Sequence, residues 1–189
     1  LKVQEQGVAA TARAVGTALN DRPSLFLSGE VYPFALAQDN DLRIDNLPAP
    51  IALNGQTEDW ARQSVTPHSV GAGAGSPESR AFSARYRIGR HDKAIYALFE
   101  VVDAKIVLRD PDRDPLQAAD HIEVAVVTPD DEFLRFSIDA RGTGKASVHL
   151  LAADGEWIPD NRIQALFRLV PGGYLLELRL PRSLVGPRL

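Results

Sequence analysis

The sequence predicts a mainly β protein, an antiparallel β-sandwich preceded by an N-terminal α-helix. From about residue 49 onward, short runs alternate apolar with polar residues, which is the period of a strand. Turn-forming pairs such as Asn54-Gly55, Asp154-Gly155 and Pro171-Gly172 separate these runs. Many short strands with frequent turns favour a sandwich, whereas the first twenty residues have helical spacing.

The first element is predicted to be a helix over residues 3–20. Its apolar stripe falls at spacings of four, three and four residues, and the run from Asn20 to Pro23 ends it (stripe: Val8, Ala12, Val15 and Leu19). The stripe is narrow and rich in alanine. Two interpretations stay open: the helix packs on the sandwich, or it continues a membrane-anchored helix and supports a homodimer.

Three regions follow from this pattern. Residues 1–22 form the membrane-proximal helix, residues 23–48 an irregular connector, and residues 49–189 the sandwich. The nearly all-apolar run Ala94–Val102 is predicted to be a central strand. In all, we expect seven or eight strands.

Trp60 is predicted to be structural. It follows a short apolar run and the Asn54-Gly55 turn, in which both residues tolerate a positive φ. An aromatic residue in this position is typical of a core plug, and we expect it to close one end of the sandwich.

Composition excludes several classes of function. The 189 residues carry a net charge of −4 and include no cysteine, which rules out disulfides, thiolate metal sites and a cysteine nucleophile. No basic run favours nucleic acid. No stretch of eighteen apolar residues predicts a membrane span. Because no methionine begins the chain, we expect a fragment from which a membrane segment has been removed.

Catalytic and metal motifs are weak. The four histidines share no metal spacing, and no Gly-x-Ser-x-Gly elbow is present. Asp110, Asp112 and Asp114 alternate in a segment that is either a solvated loop or a calcium site. We therefore expect no cofactor, with calcium as the alternative.

The strongest candidate for binding is a pair of charged residues on two predicted strands, His121–Val127 and Phe133–Asp139. Glu123 and Arg135 each lie between apolar neighbours, so both should point away from the core. A hairpin turn at residues 129–131 would make them near cross-strand neighbours. They form either an exposed ion pair or a polar cleft that binds hydroxyl groups. Three further ligand-binding candidates are Glu177 and Arg85, on other strands, and Gln117, just before the predicted strand His121–Val127.

From about residue 49 to its end, the chain resembles the family 9 carbohydrate-binding modules. Four segments match in family order: Ile51–Trp60, Ala94–Asp103, Asp120–Val124 and Gly172–Pro181. The resemblance implies that Glu123 and Arg135 contact a sugar. Sugar-binding members also stack the sugar between two tryptophans. Here Gln117 replaces one of them, and the other would lie beyond Leu189. We therefore expect a simple sugar to bind in the millimolar range or not at all.

The N-terminal part carries a second resemblance. Residues 4–19, followed by Asp21-Arg22-Pro23, are similar to the segment outside the first membrane helix of certain proteobacterial sensor histidine kinases associated with a sortase system. The resemblance implies a periplasmic, non-catalytic sensor domain of a membrane-embedded kinase, which binds an envelope or glycan ligand. The alternative is a carbohydrate-binding module of a secreted or surface enzyme.

Overall fold

The computed structural model of this protein describes residues 44–70, 82–110 and 116–186. The predicted N-terminal helix and most of the predicted connector lie outside these residues. No helix within the described ranges is long and apolar enough to cross a membrane.

The described residues form eleven strands, one short α-helix (α1, Glu58–Arg62) and two 3-10 helices, Leu116–Ala118 and Arg182–Leu184. The strands are β1 Asp45–Asn46, β2 His68–Val70, β3 Phe82–His91, β4 Ala94–Asp103, β5 His121–Val127, β6 Phe133–Asp139, β7 Gly144–Lys145, β8 Ser147–Leu151, β9 Trp157–Pro159, β10 Gln164–Val170 and β11 Gly173–Pro181.

The strands form two sheets. The large sheet has the order β1-β3-β4-β11-β10-β7, with β2 also paired to β3, and the small sheet has the order β5-β6-β8-β9. All the pairings are antiparallel except the two-residue pairing of β1 with β3. The predicted mainly β sandwich is confirmed.

The core lies between the two sheets. Phe99 and Leu176 of the large sheet share one buried cluster with Ile122, Phe136 and Ile138 of the small sheet. Each of these side chains lies on the face of its strand that is directed toward the other sheet. Burial of these side chains is the main stabilising contribution to the sandwich.

A second apolar cluster covers the outer face of the large sheet. Trp60 is fully buried there, together with Leu47, Ile51 and Val65, above Tyr96 and Leu98 of β4. The expectation that Trp60 is buried is confirmed, but its predicted place at one end of the sandwich is wrong. Residues 51–53 form no strand, and Trp60 lies in α1.

The carboxylate of Glu177, on β11, holds residues 54–60 against the large sheet. Its Oε2 accepts hydrogen bonds from the backbone N–H groups of Asn54 (2.8 Å) and Gly55 (2.6 Å), and its Oε1 accepts one from Trp60 Nε1 (3.1 Å). Burial raises the pKa of Glu177, and these three donors oppose the rise. Gly55 has a φ of +71°, a left-handed conformation that glycine adopts without strain.

Candidate functional site

The outer face of the small sheet is the set of side chains on its four strands that point away from the core. The cross-strand register and the alternation of the strands define it. Its members are His121, Glu123, Ala125 and Val127 of β5; Phe133, Arg135, Ser137 and Asp139 of β6; Ser147, His149 and Leu151 of β8; and Trp157 and Pro159 of β9.

Glu123 and Arg135 meet on this face. Arg135 Nη2 donates to Glu123 Oε2 at 2.6 Å. Because Glu123 is directly opposite Ser137, and Arg135 is opposite Ala125, the ion pair runs diagonally between β5 and β6. The side chains are 20% and 44% exposed, respectively. The structure thus places the two residues together, as the alternation predicts, and their role toward a ligand stays a prediction.

His121 adjoins the ion pair. Its Nε2 is 3.7 Å from Glu123 Oε1, and its Nδ1 donates to Ala119 O at 2.9 Å. The contact with His121, together with Arg135, overcomes burial and lowers the pKa of Glu123 to about 2. Burial lowers the pKa of His121, but the interactions with Glu123 and Ala119 outweigh it and raise that pKa. The three side chains therefore favour a doubly cationic, singly anionic state in mildly acidic solution.

These pKa shifts predict a pH-dependent stability. Because folding lowers the pKa of Glu123 from 4.5 to about 2, its contribution to the free energy of unfolding should be complete above pH 4.5 and disappear as the pH falls toward 2. His121 also stabilises the fold, but with the opposite pH dependence: its contribution is complete below pH 6.5 and should disappear as the pH rises through its raised pKa. Urea denaturation at a series of pH values measures the difference in stability between wild type and Glu123→Gln. This difference should be largest above pH 4.5 and below the raised pKa of His121. A constant difference from pH 2 to 8 would contradict the assignment.

Arg109, Asp139 and His149 form a buried polar cluster on the same face, where strand β6 ends. Arg109 Nη1 is 3.2 Å from Asp139 Oδ2 and donates to His149 Nε2, also at 3.2 Å. The Asp139 side chain is fully buried. Burial lowers the pKa of His149, and the neutral ring with its proton on Nδ1 suits an acceptor role for Nε2.

Four buried polar atoms in and beside this cluster have no hydrogen-bond partner among the described residues: Arg109 Nε, Ser137 Oγ, Asp139 Oδ1 and His149 Nδ1. Ser137 is the residue opposite His149. His149 Nδ1 lies 3.2 Å from Asp139 Oδ2 but lacks the angles of a hydrogen bond. Unpartnered buried polar groups are costly. The small sheet therefore concentrates unusual polarity on the face that carries Glu123 and Arg135.

The structure does not bring Glu177 or Arg85, two further predicted ligand-binding residues, to this face. Glu177 and Arg85 belong to the large sheet, on the opposite side of the sandwich. The Glu177 carboxylate is buried and bonded to three donors, and Arg85 lies 3.5 Å from Glu100 with 57% of its side chain exposed. The two residues therefore do not share a site with Glu123, since alternation identifies a strand's faces but not its sheet, and a ligand-binding role for either stays a prediction. Gln117 lies in the 3-10 helix that precedes β5, and its role stays a prediction.

The alternative of a calcium site at Asp110, Asp112 and Asp114 stays a prediction. Asp112 and Asp114 lie outside the described residues, and of this set only Asp110 is described. Within the described ranges, no three or more His, Cys, Asp or Glu side chains form a group that could hold a metal ion.

Local sequence patterns did not identify four members or neighbours of this face: Arg109, Asp139, His149 and Trp157. Their only local signal is the alternation that places Asp139 with Arg135, and His149 with Ser147. Their convergence depends on the pairing of β6 with β8 and on the backbone bond from Arg109 N to Ala140 O, at 3.0 Å.

Among the solved structures similar to this chain are two of a carbohydrate-binding module. No family model matches the sequence, and no curated protein matches it. A family 9 carbohydrate-binding module from Caldicellulosiruptor kristjanssonii in complex with glucose is 20% identical, with 74% of this chain and 68% of that chain covered and a TM-score of 0.46. A family 9 module from the same organism in complex with cellotriose is also 20% identical, with 74% of this chain and 67% of that chain covered and a TM-score of 0.47. Glucose and cellotriose are the ligands of those modules.

Proposed function

We propose that this chain is a carbohydrate-binding β-sandwich domain whose ligand lies on the outer face of the small sheet. The observation that supports this proposal is the partly exposed ion pair of Glu123 and Arg135, at 2.6 Å, beside the buried polar cluster. The sequence resemblance to family 9 modules falls on the same two residues.

The chemistry of the pair suits hydroxyl groups. An ionised carboxylate only accepts hydrogen bonds, a guanidinium only donates them, and a hydroxyl does both. Neighbouring hydroxyls of a sugar ring can therefore donate to Glu123 and accept from Arg135. Because the pKa of Glu123 is lowered to about 2, the carboxylate is ionised at neutral pH and can accept. Hydrogen bonds to charged groups are among the stronger ones.

We propose binding without catalysis. Ser137, His149 and Asp139 are residue types of a hydrolytic triad, but His149 Nε2 accepts a hydrogen bond from Arg109 and Ser137 is fully buried. A general base must be within hydrogen-bond reach of the nucleophile's proton, and Nε2 is occupied. The geometry of this set therefore favours a structural role.

A sensor role is the second candidate. The observation that favours it is the resemblance of residues 4–23 to the membrane-proximal segment of sensor histidine kinases. In that case the domain would be periplasmic, and the ligand would act by binding two conformations with different affinity. The sequence of the whole gene tests the sensor role. Membrane helices on both sides of the domain and a kinase core would support this role, whereas a fused carbohydrate-active enzyme domain would contradict it.

Calorimetric titration with glucose and cellotriose tests the proposed function. We expect millimolar binding by the wild type and at least a tenfold loss in Glu123→Gln and Arg135→Ala, because each removes one side of the hydroxyl contact. Arg85→Ala is the matched control, since Arg85 is also an exposed arginine beside a glutamate but lies on the large sheet. Absence of binding by the wild type, or a loss in Arg85→Ala alone, would contradict the proposal.

A further inference from the structure

Trp157 lies on the same face as the ion pair. It is directly opposite Leu151 of β8. Two residues along the strands, a cross-strand row runs through all four strands and consists of Glu123, Ser137, His149 and Pro159. Alternation then directs Trp157 outward, on the edge strand β9, with its side chain partly exposed. In the described residues β9 is the last strand of the small sheet and pairs with β8 alone.

The separation of Trp157 from Glu123 restricts the ligand. Glu123 is on β5 and Trp157 is on β9, with β6 and β8 between them. Three strand spacings correspond to about 14 Å. One pyranose ring does not span this distance, whereas a chain of two or three rings does.

The chemistry of the two ends is complementary. The Glu123–Arg135 end offers charged hydrogen-bond partners, and the indole of Trp157 offers a large flat apolar surface with a single N–H donor. A sugar ring has the same two aspects, hydroxyls at its rim and C–H groups on its faces.

We infer that Trp157 is the aromatic platform of this face and that the domain selects oligosaccharides over monosaccharides. The inference rests on the proposed function. The first ring of the glycan lies at Glu123 and Arg135, and a later ring stacks on Trp157. This platform differs in position from the one that Gln117 replaces.

Titration of glucose and cellotriose into wild type and Trp157→Ala tests the inference. We expect the wild type to bind cellotriose about tenfold more tightly than glucose, a difference of about 1.4 kcal/mol. Trp157→Ala should lose this preference while its affinity for glucose is unchanged. Phe133→Ala is the comparison variant. Phe133 is an aromatic residue on the same face and is 42% exposed. It lies only two residues from Arg135, so it should not contact the later ring that stacks on Trp157. Loss of the preference in Phe133→Ala but not in Trp157→Ala would overturn the inference.

Fluorescence provides a second readout that does not require an unstable variant. The sequence has two tryptophans, and Trp60 is fully buried. Cellotriose should therefore shift the emission of the wild type, and Trp157→Phe should lose the shift while it retains part of the stacking surface.

The outcomes separate the inference from the proposed function. If no glycan binds the wild type, both fail. If glucose and cellotriose bind equally, through Glu123 and Arg135, and the emission does not change, the proposed function stands and the platform at Trp157 is overturned. Thermal unfolding of Trp157→Ala establishes that the variant is folded.

Discussion

Trp60→Ala is expected to lower the free energy of unfolding by about 3–5 kcal/mol. The substitution leaves a cavity in the cluster that covers the large sheet and removes the indole N–H that Glu177 Oε1 accepts. A buried acceptor that loses its partner adds to the cost. Urea denaturation followed by circular dichroism measures the change.

Trp60→Phe separates the two contributions. It keeps most of the apolar volume but cannot donate to Glu177, so its loss should be smaller than that of Trp60→Ala. Unchanged stability in Trp60→Ala would mean that this cluster does not contribute to the fold as described.

Arg109→Met is expected to cost about 3–5 kcal/mol, because it leaves the fully buried carboxylate of Asp139 without its cationic partner. Methionine retains most of the aliphatic volume, so the change removes charge rather than packing. Equilibrium denaturation of the two proteins at pH 7 gives the difference.

Two further variants test whether the unpaired charge of Asp139 causes this loss of stability. In Arg109→Met/Asp139→Leu the unpaired charge is absent, and much of the stability should return. Arg85→Met removes a more exposed arginine that pairs with Glu100, and it should cost less than about 1 kcal/mol. Equal effects of Arg85→Met and Arg109→Met would contradict a special role for the buried pair.

Local patterns were sufficient for part of the fold. The strands His121–Val127 and Phe133–Asp139 were predicted with their observed bounds, because strict alternation and a tight turn determine both the strands and their register. That register was enough to bring Glu123 to Arg135. The short strands β1 and β9 have too few residues to show a period, so they emerge only from their pairing.

Long-range arrangement explains what the sequence did not predict correctly. Glu177 has the same local pattern as Glu123, a carboxylate between apolar neighbours on a strand, yet it lies under the segment around Trp60. Only the tertiary structure distinguishes a covered outer face from an exposed one. The buried cluster of Arg109, Asp139 and His149 likewise joins residues that are 10 to 40 positions apart.

The most direct test of the central claim is a nitrogen-15 NMR titration of the domain with cellotriose. If the outer face of the small sheet binds the glycan, the amides of β5, β6, β8 and β9 should shift together, and those around Glu123, Arg135 and Trp157 should shift most. Amides around Arg85 and Glu100 of the large sheet should stay in place. Shifts confined to the large sheet, or no shift at millimolar cellotriose, would contradict the account.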